Sequence, residues 1–326
     1  MKKILRFMAR LILGLAGVII LLFIILYFLN SGHYQVARTV EQDPSIPNIT
    51  LNGAVFHCET YGDPSWPVII VLHGGPGNDF RALLDLRSLA DSYYVVFYDQ
   101  RGSGLSPRVA AEELTLQNML NDLDAFVDHF GQGEKVHLIG HSWGAMLASG
   151  YIARHPEKVH KAVLAEPGFL NEESYDDFME ATDGFALDLT WPVFRYVVQF
   201  WFESLHVNGP DRQARMDYFM KRLVWDSDVP DLPMRGYFCD GNIKDRPFSE
   251  WRGSTLSQRT LHASTLDEEG NYTLDLSSGL ENYPDTALFL ASTCNTLIGI
   301  EYQEKLMKYY PHARLAVIDD AGHNMI

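Results

Sequence analysis

The sequence predicts an α/β fold: a mostly parallel sheet flanked by helices, with an inserted helical segment and an N-terminal membrane helix. Three observations carry this. Short apolar runs alternate with helix-patterned segments over residues 48–168. The alternation stops for an aromatic-rich stretch, 169–283, and resumes over 284–326. An uncharged run, Leu11 to Asn30, precedes everything else.

The N-terminal run follows Lys2, Lys3, Arg6 and Arg10. A bilayer-spanning helix needs about 20 mainly apolar residues, whereas a cleavable signal has an apolar stretch of roughly 7–15 and a small-residue cleavage site. This run is longer, and its exit, Tyr27 to Gly32, is bulky, so residues 1–32 read as an uncleaved anchor rather than a cleaved signal or a core helix. The basic flank keeps the N-terminus cytoplasmic and places the main domain outside. Residues 33–47, polar and carrying Pro44 and Pro47, read as a tether.

From there the elements follow in order. Asn48–Asn52 and Ala54–Thr60 flank Gly53 and suggest a hairpin. Pro67–Leu72 and Tyr93–Tyr98 are continuous apolar runs of the kind buried in parallel sheets. Phe80–Leu89 and Leu116–Phe130 have helical spacing, Lys135–Ile139 and Val159–Ala165 are strands, and Met146–Arg154 is a helix. After the insertion come a strand at Thr286–Ala291, a helix at Glu301–Tyr310 and a strand at Arg314–Ile318. The domain organisation is therefore anchor, tether, core from 48 to 168, insertion from 169 to 283, and core from 284 to 326.

The net charge is −16, and the anchor segment is itself basic, so the remainder is more acidic still. That argues against nucleic acid or anionic headgroups as partners. Cys58, Cys239 and Cys294 are distant and odd in number; they read as neither a disulfide framework nor a metal site. No cofactor is implied.

Four motifs carry chemistry. Gly140-His141-Ser142-Trp143-Gly144 fits G-x-S-x-G between a strand and a helix, the context of a nucleophile elbow. The tight turn lifts the Ser142 hydroxyl from the sheet edge and sets the Trp143 N–H near a developing oxyanion. His73-Gly74-Gly75-Pro76-Gly77 follows a strand, and its glycines admit close backbone approach. Gly75, with Gly74 as the alternative, is the second oxyanion donor, and His73 reads as a loop-ordering residue. Asp99-Gln100-Arg101-Gly102-Ser103-Gly104 is a loop beside the site, structural or substrate-contacting. His323, in Ala321-Gly322-His323 beyond the last strand, is placed to take the serine proton; the plain alternative is a surface histidine.

Together, HGGPG, DQRGSG, GHSWGA and AGH resemble the prolyl iminopeptidase family of α/β-hydrolases, over residues 50–168 and 284–326. The resemblance implies a cap built by the insertion, and a serine hydrolase acting on small peptides or related amides and esters. Two departures stand out. Where that family has its acid, this chain has Asn295, and an amide in that role lowers kcat by about 10⁴ in a chymotrypsin-type triad. Glu166, at the strand end after the nucleophile helix, is the candidate replacement, as in some haloalkane dehalogenase relatives; it should then lie within about 3.5 Å of His323 Nδ1. A cap hinge, a substrate-amine ligand or a bland strand end are the other readings of Glu166, and Asp319 and Asp320 are the other acids. The family also carries a helix after the histidine; only Asn324, Met325 and Ile326 follow here, so either the chain is incomplete or the sheet edge is covered another way. Glu203, in Gln199–Glu203, faintly resembles the family's ligand for the substrate amino group.

The expected function is acyl transfer by Ser142, His323 and Glu166 on peptides with a free N-terminus. A carboxylesterase or lipase is one rival. A catalytically weakened, membrane-tethered binding protein is another, favoured by Asn295 and the short C-terminus.

Overall fold

The computed structural model describes residues 2–182, 188–225, 229, 232–241 and 250–326. Eight strands form one sheet, β1 (Asn48–Leu51), β2 (Ala54–Tyr61), β3 (Val68–Leu72), β4 (Tyr94–Tyr98), β5 (Val136–His141), β6 (Val159–Ala165), β7 (Ala287–Ser292) and β8 (Ala313–Ile318). Their spatial order among the described residues is β1-β2-β4-β3-β5-β6-β7-β8. β1 and β2 are an antiparallel hairpin, turned at Asn52 and Gly53, both at positive φ as a tight hairpin turn demands. β2 meets β4 antiparallel, and every pair from β4 onward is parallel.

The strand sequences explain this layout. Val68–Leu72 is buried throughout, as a central strand covered on both faces must be. One face meets Phe80 and Leu83, which pack with Ile69, Val71, Val95, Phe97 and Ile139; Ile326 packs against the same cluster. Helices α2 (Leu116–Gly131) and α3 (Trp143–Arg154) pack with each other and with β3, and in α3 every residue from Trp143 to Ile152 is buried. Burying a leucine or isoleucine fully is worth about 1.5–3 kcal/mol, so this layer anchors the turn that precedes α3. Thr115 caps α2, its Oγ1 accepting the Asn118 N–H at 3.2 Å. The segment expected to be helical after Phe80 winds as 3-10 turns over Arg81–Asp91. β8 is only partly covered, with Val317 exposed.

The described residues group into two units. One holds 37–188 and 231–326. Besides the sheet it contains α4 (Glu172–Thr182), α7 (Thr255–Ser264) and α8 (Ile300–Leu306). Parts of 169–283, read from the sequence as a single insertion, thus belong to the sheet's own unit. The other unit holds 1–36 and 189–230, with α1 (Lys2–Leu29), α5 (Trp191–Ser204) and α6 (Ala214–Val224). α1 is long and apolar enough to cross a membrane, and none of its residues is buried.

The cysteine reading needs correction. Cys239 and Cys294, 55 residues apart, form a disulfide, and Cys58 is free and buried. Sequence distance misled because the chain leaves the sheet before Cys239 and returns beside the end of β7.

Candidate active site

Ser142 stands between β5 and α3 with φ +54 and ψ −120, a conformation that L-residues rarely adopt. Its N–H donates to Ala165 O on β6 at 2.8 Å, which ties the turn to the neighbouring strand. Gly144 is forced: a Cβ there would lie 2.1 Å from Leu72 O, so only glycine lets α3 approach β3 this closely. Trp143 opens α3, and the first N–H groups of a helix have no partner within it.

The glycine loop after β3 meets this turn. A Cβ on Gly74 would lie 3.1 Å from both Ser142 Cβ and His141 Nδ1, so Gly74 lets the loop close on the serine. Gly75 has φ +120 and a cis bond to Pro76, and faces the Gly77 and Asn78 amides. His73 is buried and orders the loop, its Nδ1–H donating to Gly74 O at 2.9 Å and its Nε2 accepting from Gln100 N at 3.0 Å. Gln100 then spans both loops, Nε2 donating to His73 O at 2.9 Å and Oε1 accepting the Trp143 indole N–H at 2.9 Å. Within the same DQRGSG loop, Asp99 accepts Phe80 N, Leu105 N and His57 Nδ1–H, and Arg101 makes two bonds to Asp122. These contacts are framework, and Gln100 is the one that touches the Ser142 turn.

Glu166 sits at the end of β6 with φ +44 and is fully buried. Its Oε2 accepts the His323 Nδ1–H at 2.7 Å and the Asn295 amide at 2.6 Å. Its Oε1 accepts Ser292 N at 2.8 Å and Ser292 Oγ at 2.7 Å. Burial alone would raise this carboxyl's pKa; the His323 partner and the Ser292 donors outweigh it and hold it below the usual glutamate range. Asn295 is oriented in turn, its Oδ1 accepting Leu297 N and Ile298 N, both at 3.0 Å. Asp319 and Asp320 are exposed.

Three further groups hold His323. Tyr237 stacks on its ring at 4.4 Å and 22°, and Tyr237 O accepts the His323 N–H at 2.7 Å. His141 lies against its other surroundings, ring centroids 4.6 Å apart, with Nε2–H donating to His323 O at 2.6 Å. Burial, then the nearby His323, depresses the His141 imidazole to about 3. The Cys239–Cys294 disulfide joins the Tyr237 segment to the Asn295 loop, and Cys294 N donates to Ala321 O at 3.0 Å.

The geometry thus gathers Ser142, Trp143, Gly74, Gly75, His323 and Glu166 in the sheet's unit. Glu203 lies in the other unit, near the end of α5. Its carboxylate accepts Gln199 Nε2 at 2.9 Å, Tyr218 OH at 2.9 Å and Arg222 Nε at 3.3 Å. Sequence reasoning missed Tyr237, His141, Ser292 and the disulfide. His141 was visible within the elbow motif, but Tyr237 lies in the inserted stretch with no local signal. Among the described residues no cluster of acidic, cysteine or histidine side chains is arranged to hold a metal.

Residues 67–326 match the family model of the alpha/beta hydrolase fold. The chain belongs to the α/β-hydrolases. Within them it is prolyl iminopeptidase-like: it is 33% identical to a proline iminopeptidase of Arabidopsis thaliana over 290 residues, covering 82% of this chain and 71% of that one. It is also 32% identical over 286 residues to a cis-3-alkyl-4-alkyloxetan-2-one decarboxylase of Shewanella oneidensis, covering 85% and 82%. Among solved structures, the proline iminopeptidase-related protein of Thermus thermophilus aligns with a TM-score of 0.59 at 21% identity, covering 86% of this chain and 90% of that one, which speaks for the fold. This α/β-hydrolase is thus a hydrolytic enzyme, of aminopeptidase or esterase type.

Proposed function

We propose that the chain is a serine hydrolase that cleaves small peptides with a free N-terminus by acyl transfer. Ser142 Oγ attacks the carbonyl carbon while His323 takes its proton. The imidazolium then protonates the leaving amine as the C–N bond breaks, and water, deprotonated by His323, releases the acyl group. Glu166 fixes the tautomer that keeps Nε2 available and stabilises the imidazolium. The N–H groups of Gly75 and Trp143 receive the oxyanion, Gly74 being the bare spot that lets the first loop close in. The observation that carries this reading is the 2.7 Å bond from His323 Nδ1 to Glu166. The peptide substrate rests on likeness to the iminopeptidases.

One observation favours an ester instead. Glu203, the candidate for the substrate's amino group, is already answered by Arg222, Tyr218 and Gln199. The name of the Shewanella relative describes a cyclic ester bearing alkyl chains. Proline and alanine p-nitroanilides compared with short-chain p-nitrophenyl esters decide it: turnover of esters alone moves the assignment to esterase. Ser142→Ala should abolish both that turnover and labelling by a fluorophosphonate, and wild-type rates in that variant would overturn the serine mechanism.

We also read α1 as an uncleaved anchor with the hydrolase domain outside the cytoplasm. The buttressing disulfide supports this, since such bonds persist in oxidising compartments. Sedimentation with membranes after alkaline carbonate, lost on deleting residues 1–32, is the expected result.

A further inference from the structure

α5 carries apolar side chains that its own unit leaves in the open. Trp191 is 75% exposed, Phe194 46% and Trp201 45%. At 100° per residue these three fall within an arc of about 80°, so they form one face running the length of the helix. Trp191 and Phe194 stack on each other at 5.8 Å. The helix carries a single cation, Arg195, and no acid before Glu203. Its opposite side is packed, with Val193 and Phe200 buried.

The depth of this face is set by α1, in the same unit. Phe23 of α1 meets Trp201 at 6.2 Å and Phe202 at 5.2 Å. Four residues on, Tyr27 stacks near His206 at 4.1 Å, and Tyr27 O accepts His206 Nε2–H at 2.9 Å. From Leu11 to Leu29 the apolar stretch is about 28 Å long at 1.5 Å per residue, the thickness of a hydrocarbon core. Phe23 is six residues inside its outer end, about 9 Å along the axis. Interfacial helices bury their apolar face about 5–10 Å into the headgroup and acyl boundary. A side chain touching Phe23 therefore shares that layer.

We propose that α5 is an interfacial helix, lying in the outer face of the same bilayer that α1 crosses, with Trp191, Phe194 and Trp201 in the lipid. The occupant of the exposed face is thus the membrane. Tryptophan suits this place because its ring is apolar and its N–H seeks the wet side. This rests on reading α1 as the anchor.

The test uses the full-length protein in lipid nanodiscs whose acyl chains carry bromine, a contact quencher of tryptophan. Wild-type emission should fall relative to unbrominated discs, and Trp191→Phe should lose part of that fall. Trp201→Phe should also lose part, but it adjoins α1 and reports the anchor as much as α5. Trp191, ten residues further along, distinguishes a helix lying in the interface from one leaving it. Equal quenching in wild type and Trp191→Phe overturns the proposal. So does cross-linking between copies through the Phe194→Cys variant, which would give the face to a second chain. Retained fluorophosphonate labelling certifies that each variant is folded. Carbonate extraction reads the anchor separately: release of the wild type overturns the anchor reading, and α5 then stands only if the released protein still shows Trp191-dependent quenching on brominated vesicles.

Discussion

Asn295 donates its side-chain amide to Glu166 Oε2 at 2.6 Å, the same oxygen that accepts the His323 imidazole. The residue in the family's usual acid position thus donates to the carboxylate that holds His323 Nδ1. Its own Oδ1 is pinned by two backbone amides, which leaves the NH₂ group facing Glu166. Asn295 and Glu166 therefore form one arrangement.

Glu166→Gln keeps the shape of this centre and removes its charge. The new amide can also present an N–H to His323 Nδ1, favouring the wrong tautomer. We expect kcat/KM on an ester to fall about 10³–10⁴-fold, or about 4–5.5 kcal/mol of transition-state stabilisation. A fall of less than tenfold would remove Glu166 from the mechanism.

Asn295→Asp should not improve the enzyme. It exchanges a donor for a second buried carboxylate beside Glu166, and like charges at this range push one pKa up. The expected kcat/KM is between unchanged and about tenfold lower, the scale of one pK unit. A rise of orders of magnitude would mean that the chain is a weakened enzyme repaired by its missing acid.

Cys239→Ser tests the buttress behind His323. Opening a loop of this length removes about 2–4 kcal/mol of stability, read as a lowered Tm that reductant reproduces in the wild type and not in the variant. Because Tyr237 stacks on His323 two residues before the cysteine, kcat should fall as well. Unchanged kcat with a lowered Tm would confine the disulfide to stability.

A pH signature should come from His57, away from the chemistry. It is buried, bonded through Nδ1 to Asp99 at 2.7 Å, with Nε2 3.4 Å from Glu59. Burial alone would lower its pKa, but Asp99 and Glu59 prevail and hold it above the ordinary histidine value. A raised folded pKa means stability fully present below the unfolded pKa of about 6.5 and lost as pH rises through the folded one. The Tm gap between wild type and His57→Gln should be widest below that pH and narrow above it. A gap constant with pH would show that only packing was removed.

Much of the fold was legible because parallel strands buried on both faces are nearly uniform apolar runs. Pro67–Leu72 and Tyr93–Tyr98 stand out for that reason, and the observed strands match them within a residue. The strained turn at Ser142 was legible because it needs glycines two residues away on either side, Gly140 and Gly144. The surroundings of His323 were not. Tyr237 and Cys239 reach it through tertiary contact from a stretch whose composition says only that it packs, and a disulfide leaves no periodic trace. The partners of Glu203 were hidden for the same reason: Arg222 and Tyr218, on the next helix, reach its carboxylate only through tertiary contact.

Ser142 and Glu166 share a further property. Each follows the last residue of one of two adjacent paired strands, His141 and Ala165, and each adopts positive φ. Such a conformation costs about 1–3 kcal/mol in a residue with a side chain, and glycine would escape it. At position 142, durability and chemistry therefore pull in opposite directions. Variants sorted only for survival on heating would drift toward glycine there and accumulate robust, inert proteins. If Ser142 is the proposed nucleophile, only a demand for turnover would hold the serine in this strained turn against that drift.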